Sequence, residues 1–363
     1  MSIRTATAII DFQALAHNYK VIKSYAPNSK VLAVLKANAY GHGLERIAKA
    51  LPQADGFGVA RLDEAIALRK AGIIQPIILL EGFFSPDELT LLSEYNLETI
   101  IHSKEQLEAI NNAHLDSAIK VWLKIDTGMH RLGISPKDFS TFLQALEQSK
   151  NVQKDITLIS HLGCADDLND KTTSAQLSVF KQLASSTYEC SLANSAGICA
   201  WPEAHFDWVR PGLMLYGVSP MLVQSAQQKA LQPVMTLKSS LISIRRISKG
   251  DSVGYGSSWT SAKDTYIGVI AIGYGDGYPR HAENGTPIYI NGRIVPLIGR
   301  VSMDMITVDL GEGAAGKIKD NVGDEATLWG AELPIEQIAK CATTIPYELL
   351  CNISRRVHIT IKK

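Results

Sequence analysis

Strand-like and helix-like segments alternate eight times before about residue 230, and this repeat limits the possible fold more than any other feature of the chain. The strand candidates are residues 31–36, 57–60, 77–81, 98–102, 120–126, 156–163, 188–194 and 208–212. Most are apolar runs without alternation, the pattern of strands buried on both faces in a parallel sheet. Helical patterns lie between them, at 63–70, 85–95, 103–113, 137–149 and 172–186, and a further helix at 11–25 precedes the first strand. Some starts are marked. Ser85-Pro86-Asp87-Glu88 offers a cap, a first-turn proline and early acids. Ser103 with Gln106 three residues later is a capping box. Eight βα units in about 200 residues predict an α/β fold, a (β/α)8 TIM-type barrel.

The pattern changes after residue 230. Residues 224–230 read as a polar connector. Alternating runs follow at 236–244, 265–272, 287–290, 294–298 and 305–309, separated by glycine-bearing turns. Asn291-Gly292 reads as a tight hairpin turn. A helix is expected near 335–343 and a closing strand at 356–361. The expected division is an N-terminal barrel over 1–230 and a mostly antiparallel C-terminal β-domain over 231–363.

Composition narrows the function classes. Thirty-six basic residues balance thirty-six acidic ones, so nothing points to nucleic acid or an anionic membrane. The N-terminus lacks an apolar core of signal-peptide length, and no apolar run approaches the roughly 20 residues of a spanning helix. The five cysteines are irregularly spaced, which predicts reduced thiols and a cytoplasmic protein. With no CxxC or HExxH pattern, no metal site is expected.

The chemistry is expected at the C-terminal strand ends, where barrels keep their active sites. The run Val31-Leu32-Ala33-Val34-Leu35 leads into Lys36, and Tyr40 follows in the next turn. By itself Lys36 has two readings: a strand-end lysine reaching solvent, or an amine kept to form a Schiff base with a carbonyl. Other strand ends offer Lys124 through Arg131, then Ser160-His161, Asn194-Ser195-Ala196-Gly197, and Arg210-Pro211-Gly212-Leu213. Alone, His161 reads as structural. The Asn194–Gly197 turn aims backbone N–H groups and a hydroxyl outward, and Gly212 permits close backbone approach, so the pair suits a phosphate. A Schiff-base lysine with a phosphate site points to pyridoxal 5′-phosphate.

These residues lie in motifs that resemble the alanine racemase family. The run Val34-Leu35-Lys36-Ala37-Asn38-Ala39-Tyr40-Gly41-His42-Gly43 resembles its cofactor-attachment motif. Lys124-Ile125-Asp126-Thr127-Gly128-Met129-His130-Arg131-Leu132-Gly133 and Val209-Arg210-Pro211-Gly212 match it too. So do Val253-Gly254-Tyr255-Gly256, Ile272-Gly273-Tyr274-Gly275-Asp276-Gly277-Tyr278 and Gly299-Arg300-Val301-Ser302-Met303-Asp304. The likeness runs from about Ala8 to the C-terminus.

The resemblance implies a two-base interconversion of L- and D-alanine, supplying D-alanine for cell-wall peptidoglycan. A broad-specificity amino-acid racemase is the alternative; a decarboxylase on the same fold fits the 124–131 and 299–304 motifs poorly. Lys36 would carry the cofactor and act as one base, with Tyr255 as the other. Arg210 would face the pyridine nitrogen, with His161 beside it. Tyr40, Asn194, Ser195, Gly212 and Leu213 would hold the cofactor, mostly through its phosphate. Arg131 and Met303 would bind substrate, and Lys124 would be a carbamylated partner of Arg131. Asp166, Tyr274, Arg280 and Arg300 would line the entry. The resemblance also implies a homodimer that shares its sites, with Tyr255, Tyr274 and Met303 reaching the partner's barrel. Arg355 departs from the family pattern, standing where some relatives have tyrosine, and has no assigned role.

Overall fold

The structure, a computed structural model, describes residues 5–221, 230–313 and 318–362. The connector expected at 224–230 lies outside the described residues up to position 229. The chain divides into two compact units.

One unit comprises Ala16–Leu215 with Ser219–Leu231. Its strands are β2 (Lys30–Val34), β3 (Gly56–Val59), β4 (Ile77–Leu79), β5 (Glu98–Ile101), β6 (Val121–Lys124), β7 (Thr157–Ile159), β8 (Glu189–Asn194) and β9 (Trp208–Arg210). They form a closed parallel barrel in chain order, sealed where β9 meets β2 through Trp208–Lys30 and Val209–Val31. Leu32, Ile78, Ile100, Trp122, Ile159 and Trp208 pack together as its core. At the N-terminal end the Trp122 and Trp208 rings meet edge to face at 5.5 Å. Their indole N–H groups donate to Glu98 (2.6 Å) and Glu189 (2.7 Å). Bulky aromatics with satisfied polar tips fill this end, which leaves the opposite end for chemistry.

The other unit comprises Met1–Leu15, Tyr216–Val218 and Gln232–Lys363. It contains β1 (Thr7–Asp11), β10 (Met235–Ile247), β11 (Ser252–Val253), β12 (Trp259–Thr260), β13 (Thr265–Ile270), β14 (Pro287–Ile290), β15 (Arg293–Ile298), β16 (Ile306–Gly311), β17 (Glu325–Trp329) and β18 (His358–Lys362). The main sheet runs β13-β16-β15-β14-β17-β10-β1-β18, and β10 also pairs with β13. The pairs are antiparallel except β1 with β18, the first and last strands of the chain. Ala8 and Ile10 of β1 are buried in strict alternation with their neighbours.

Local expectations are met unevenly. Asn291 (φ 47°) and Gly292 (φ 78°) make the tight turn between β14 and β15. Ser103 caps its helix by accepting from the Gln106 N–H at 3.3 Å, but the Gln106 side chain accepts from His102 rather than closing the box. The cap expected at Ser85 does not form: the helix begins at Glu88, whose carboxylate accepts from the Phe84 N–H at 2.9 Å.

Candidate active site

The strand carrying Lys36 is shorter than its apolar run. β2 stops at Val34, and Lys36–Tyr40 is a single tight turn. Ala37, Asn38, Ala39 and Tyr40 all have φ between 51° and 55°, in the left-handed region. Each non-glycine residue there costs roughly 1–2 kcal/mol. Surrounding bonds hold the turn. Asn38 Oδ1 accepts from the Leu44 N–H at 2.9 Å, and buried His42 donates from Nδ1 to the Tyr40 carbonyl at 2.8 Å. Burial pulls His42 down to about 4, so it is neutral. Backbone strain of this kind persists where the surroundings over-determine it, often at functional sites. The result fixes Lys36 at the barrel mouth, half-exposed, 3.7 Å from Glu81.

Lys36 belongs to a pool of positive charge. Lys124, at the end of β6, is almost fully buried. Burial pulls its amine down to about 8; Arg210, Arg131 and Lys36 push the same way, and Glu81 opposes them. Arg210, at the end of β9, is buried and lowered by desolvation to about 9, still cationic at neutral pH. It donates to Ser191 Oγ (2.7 Å), the Ser160 carbonyl (2.5 Å) and the Leu192 carbonyl (3.3 Å). Its Nη2 also lies 3.3 Å from His161 Nδ1. A guanidinium only donates, so that nitrogen accepts and His161 is neutral. Burial first, then Arg210, Lys124 and the other cations, hold His161 well below the ordinary histidine range.

The loop after β6 is folded into a fixed shape. Asp126 Oδ1 accepts from the N–H groups of Gly128 (2.9 Å) and His130 (3.0 Å). Ile134 then returns to donate to the Lys124 carbonyl at 2.9 Å. Arg131 is exposed on this loop. Gln176 braces the rim by donating to the His161 carbonyl (2.9 Å) and accepting from Gly163 (2.9 Å). Asp166 is half-buried on the loop after β7, where Trp201 donates to the Ala165 carbonyl at 3.1 Å.

The ends of β8 and β9 form a third part of the site. Asn194 caps the helix Ser195–Ala200 by accepting from the Gly197 N–H at 2.9 Å. Ser195 Oγ accepts from Gly212 N–H (2.9 Å) and Met214 N–H (3.3 Å), with Leu213 buried between those donors. A Cβ on Gly212 would stand 2.6 Å from the Tyr40 hydroxyl, so only glycine lets these groups meet. Lys36, Tyr40, Lys124, Arg131, His161, Asn194, Ser195, Arg210, Gly212 and Leu213 thus all lie at the C-terminal strand ends of one barrel. Glu81, Ser191 and Gln176 belong with them and were missed in the sequence, as does Ser160, which was named at its strand end without a role. Glu81 had a usable signal, being a carboxylate that ends an apolar barrel run.

The β unit presents a separate set. Tyr255 is 70% exposed on the turn between β11 and β12, where Gly254 (φ 76°) and Gly256 (φ 69°) are left-handed. The Arg300 guanidinium lies 3.5 Å from where a Cβ on Gly256 would be. Tyr274 and Met303 are also exposed, and their backbones are joined: Tyr274 N–H donates to Ser302 O (3.0 Å) and Gly275 N–H to Met303 O (2.9 Å). Arg280, Arg300 and Arg355 are exposed as well.

Comparisons with known proteins bear on both units. The family models for the alanine racemase N-terminal and C-terminal domains match residues 10–220 and 234–361. The alanine racemase of Vibrio cholerae is 53% identical over 359 residues, 99% of this chain and 98% of its own. That of Vibrio atlanticus is 54% identical over 356 residues, 98% of each. Among solved structures, the biosynthetic alanine racemase of Pseudomonas aeruginosa superposes with a TM-score of 0.94 at 42% identity, covering 99% of this chain and all of its own. An alanine racemase from Bartonella henselae with covalently bound pyridoxal phosphate gives 0.88 at 30% identity, covering 99% of each chain.

Proposed function

The chain belongs to the alanine racemase family, and from that premise we propose that it interconverts L- and D-alanine with pyridoxal 5′-phosphate held at the barrel mouth. One observation carries the reading: Lys36 stands among Lys124, Arg131 and Arg210, with Glu81 set against that excess of cations. The adjoining Ser195–Gly212–Tyr40 cradle has the donors and close backbone approach that a phosphate needs. A dianionic phosphate on a carbonyl cofactor matches both features.

The side chains then divide the chemistry among them. Lys36 would attach the cofactor and exchange a proton with one face of the substrate Cα. Tyr255 of the partner subunit serves the other face, since inversion needs a proton removed from one side and returned to the other. Arg131 and the partner's Met303 receive the amino acid, Arg131 pairing with its carboxylate. Tyr40, Asn194, Ser195, Gly212 and Leu213 would hold the phosphate end, and His161 and Arg210 the ring. When bound, the cofactor supplies the electron sink that acidifies the Cα–H bond. Arg210 can only donate, so a pyridine nitrogen facing it would stay unprotonated and the sink weak, which would favour racemisation over side transamination. Asp166, Tyr274, Arg280 and Arg300 restrict entry to small substrates. The product D-alanine would feed peptidoglycan synthesis in a reducing cytoplasm.

A twofold dimer would complete this arrangement, because a barrel mouth needs cover to exclude water and the β unit exposes Tyr255, Tyr274 and Met303. Purified holoenzyme should be yellow, and borohydride should fix the label on the peptide containing Lys36. Incubation with L-alanine, L-serine and basic amino acids should give D-alanine fastest. A label on another lysine would remove the attachment assignment, and faster turnover of a basic amino acid would replace the substrate.

A further inference from the structure

Two motifs of the β unit contain carboxylates, Asp276 and Asp304, that have no part in the proposed reaction. Both meet Arg356, which precedes β18. Arg356 Nε lies 3.3 Å from Asp276 Oδ1, and Nη2 donates to Asp304 Oδ1 at 2.6 Å. Asp276 is buried, and its Oδ2 accepts from the Gly273 N–H at 2.9 Å. Ser354 reinforces the junction. Its N–H donates to the Asp276 carbonyl (3.1 Å) and its hydroxyl to the Gly275 carbonyl (2.9 Å).

The packing at this point is tight. A Cβ on Gly275 would stand 2.5 Å from Arg356 Nη1 and 3.0 Å from the Met303 carbonyl. A Cβ on Gly273 would stand 2.3 Å from the Ser302 carbonyl. Three segments distant in sequence therefore converge on one guanidinium, and exposed Tyr274 and Met303 both project from the junction.

We infer that Arg356 is a positioning residue for amino-acid binding: by gripping Asp276 and Asp304 at once it fixes Tyr274 relative to Met303. This rests on the proposed racemase reading, in which those two side chains meet the substrate and its path. A planar guanidinium can address two carboxylates in different directions, whereas a lysine ammonium is a single point of charge. Losing the grip loosens groups that bind substrate without removing any group that moves a proton, so KM should bear the effect rather than kcat.

The test uses holoenzyme carrying Arg356→Ala, Arg356→Lys or Asp304→Asn. Arg356→Ala should raise KM for both alanine enantiomers about tenfold, the scale of a small misplacement, with kcat falling less than about threefold. Millimolar guanidinium should recover part of that loss, and Arg356→Lys should stay impaired. Asp304→Asn, which keeps the Asp276 contact, should raise KM by a smaller factor and serves where Arg356→Ala fails to fold. Unchanged KM in all three variants, or a fall in kcat alone, overturns the inference. Hydrogen exchange at Tyr274 and Gly275 is read without turnover and should quicken in Arg356→Lys; unchanged exchange also overturns it. A wild-type protein inactive on alanine would instead remove the racemase reading, leaving the exchange result to judge the grip.

Discussion

Lys124 is a buried amine among cations, a costly place for an ammonium ion. Burial and the surrounding cations pull it down to about 8, so far more of it is neutral at pH 7 than of an ordinary lysine. Only the neutral amine attacks carbon dioxide, forming a carbamate and releasing a proton. The anion formed would face Arg131, Arg210 and Lys36, which reverses the electrostatics from repulsion to attraction. Carbon-13 bicarbonate should therefore give a carbamate carbonyl signal that is absent from Lys124→Ala. The signal should fade as pH falls below about 7, because protonation of the amine competes. The linkage has the matching sign: a depressed folded pKa means unmodified Lys124 costs stability as pH falls from its ordinary value of 10.5 through about 8. Lys124→Ala should lose most activity, with partial recovery in acetate; full activity without added carboxylate would count against a carbamate.

At the scale of elements, the turns matter more than the strands. The end of β9 and the start of the helix Ser195–Ala200 meet through one hydroxyl, and Tyr40 closes on Gly212 from the turn after Lys36. Gly212→Ala should push the Tyr40 hydroxyl aside and weaken cofactor binding by at least about tenfold, since phosphate contacts need their placement kept. Spectroscopic titration of apoprotein with pyridoxal phosphate would show this, and unaltered affinity would mean that the cradle does not hold the phosphate. The barrel strands were legible because doubly buried strands leave unbroken apolar runs. The turn after Lys36 was not. Alanine and tyrosine carry no preference for positive φ, and Asn38, Gly41 and Gly43 are the few residues there that hint at it. A sequence reading therefore carries the strand through to Lys36, when it ends at Val34.

For the whole molecule, the proposal that each site joins Lys36 of one subunit to Tyr255 of the other can be tested by mixing. Lys36→Ala and Tyr255→Phe should each be inactive alone. In a heterodimer, a shared arrangement gives one site with both defects and one site with neither. Activity should then return to about half the wild-type level per dimer, if the sites are independent. Heterodimers that form but recover nothing would place both bases in one chain.

The order of strands and helices, the closed parallel barrel and the residues at its mouth were determined by the chain's local patterns, because one-sided or two-sided burial leaves a periodic record. Periodicity put Lys36 and Arg210 at strand ends, but their roles, and Tyr255 altogether, were legible only through motifs that resemble the alanine racemase family. The tertiary structure alone decided the pairing of β1 with β18, which brings Thr7 opposite His358. A five-residue strand has no means of signalling a partner at the other end of the chain. It alone also decided the charges around Lys124 and the meeting of Arg356 with Asp276 and Asp304. Electrostatic coupling depends on distance and burial in space, and neither is written in the spacing of residues along a sequence.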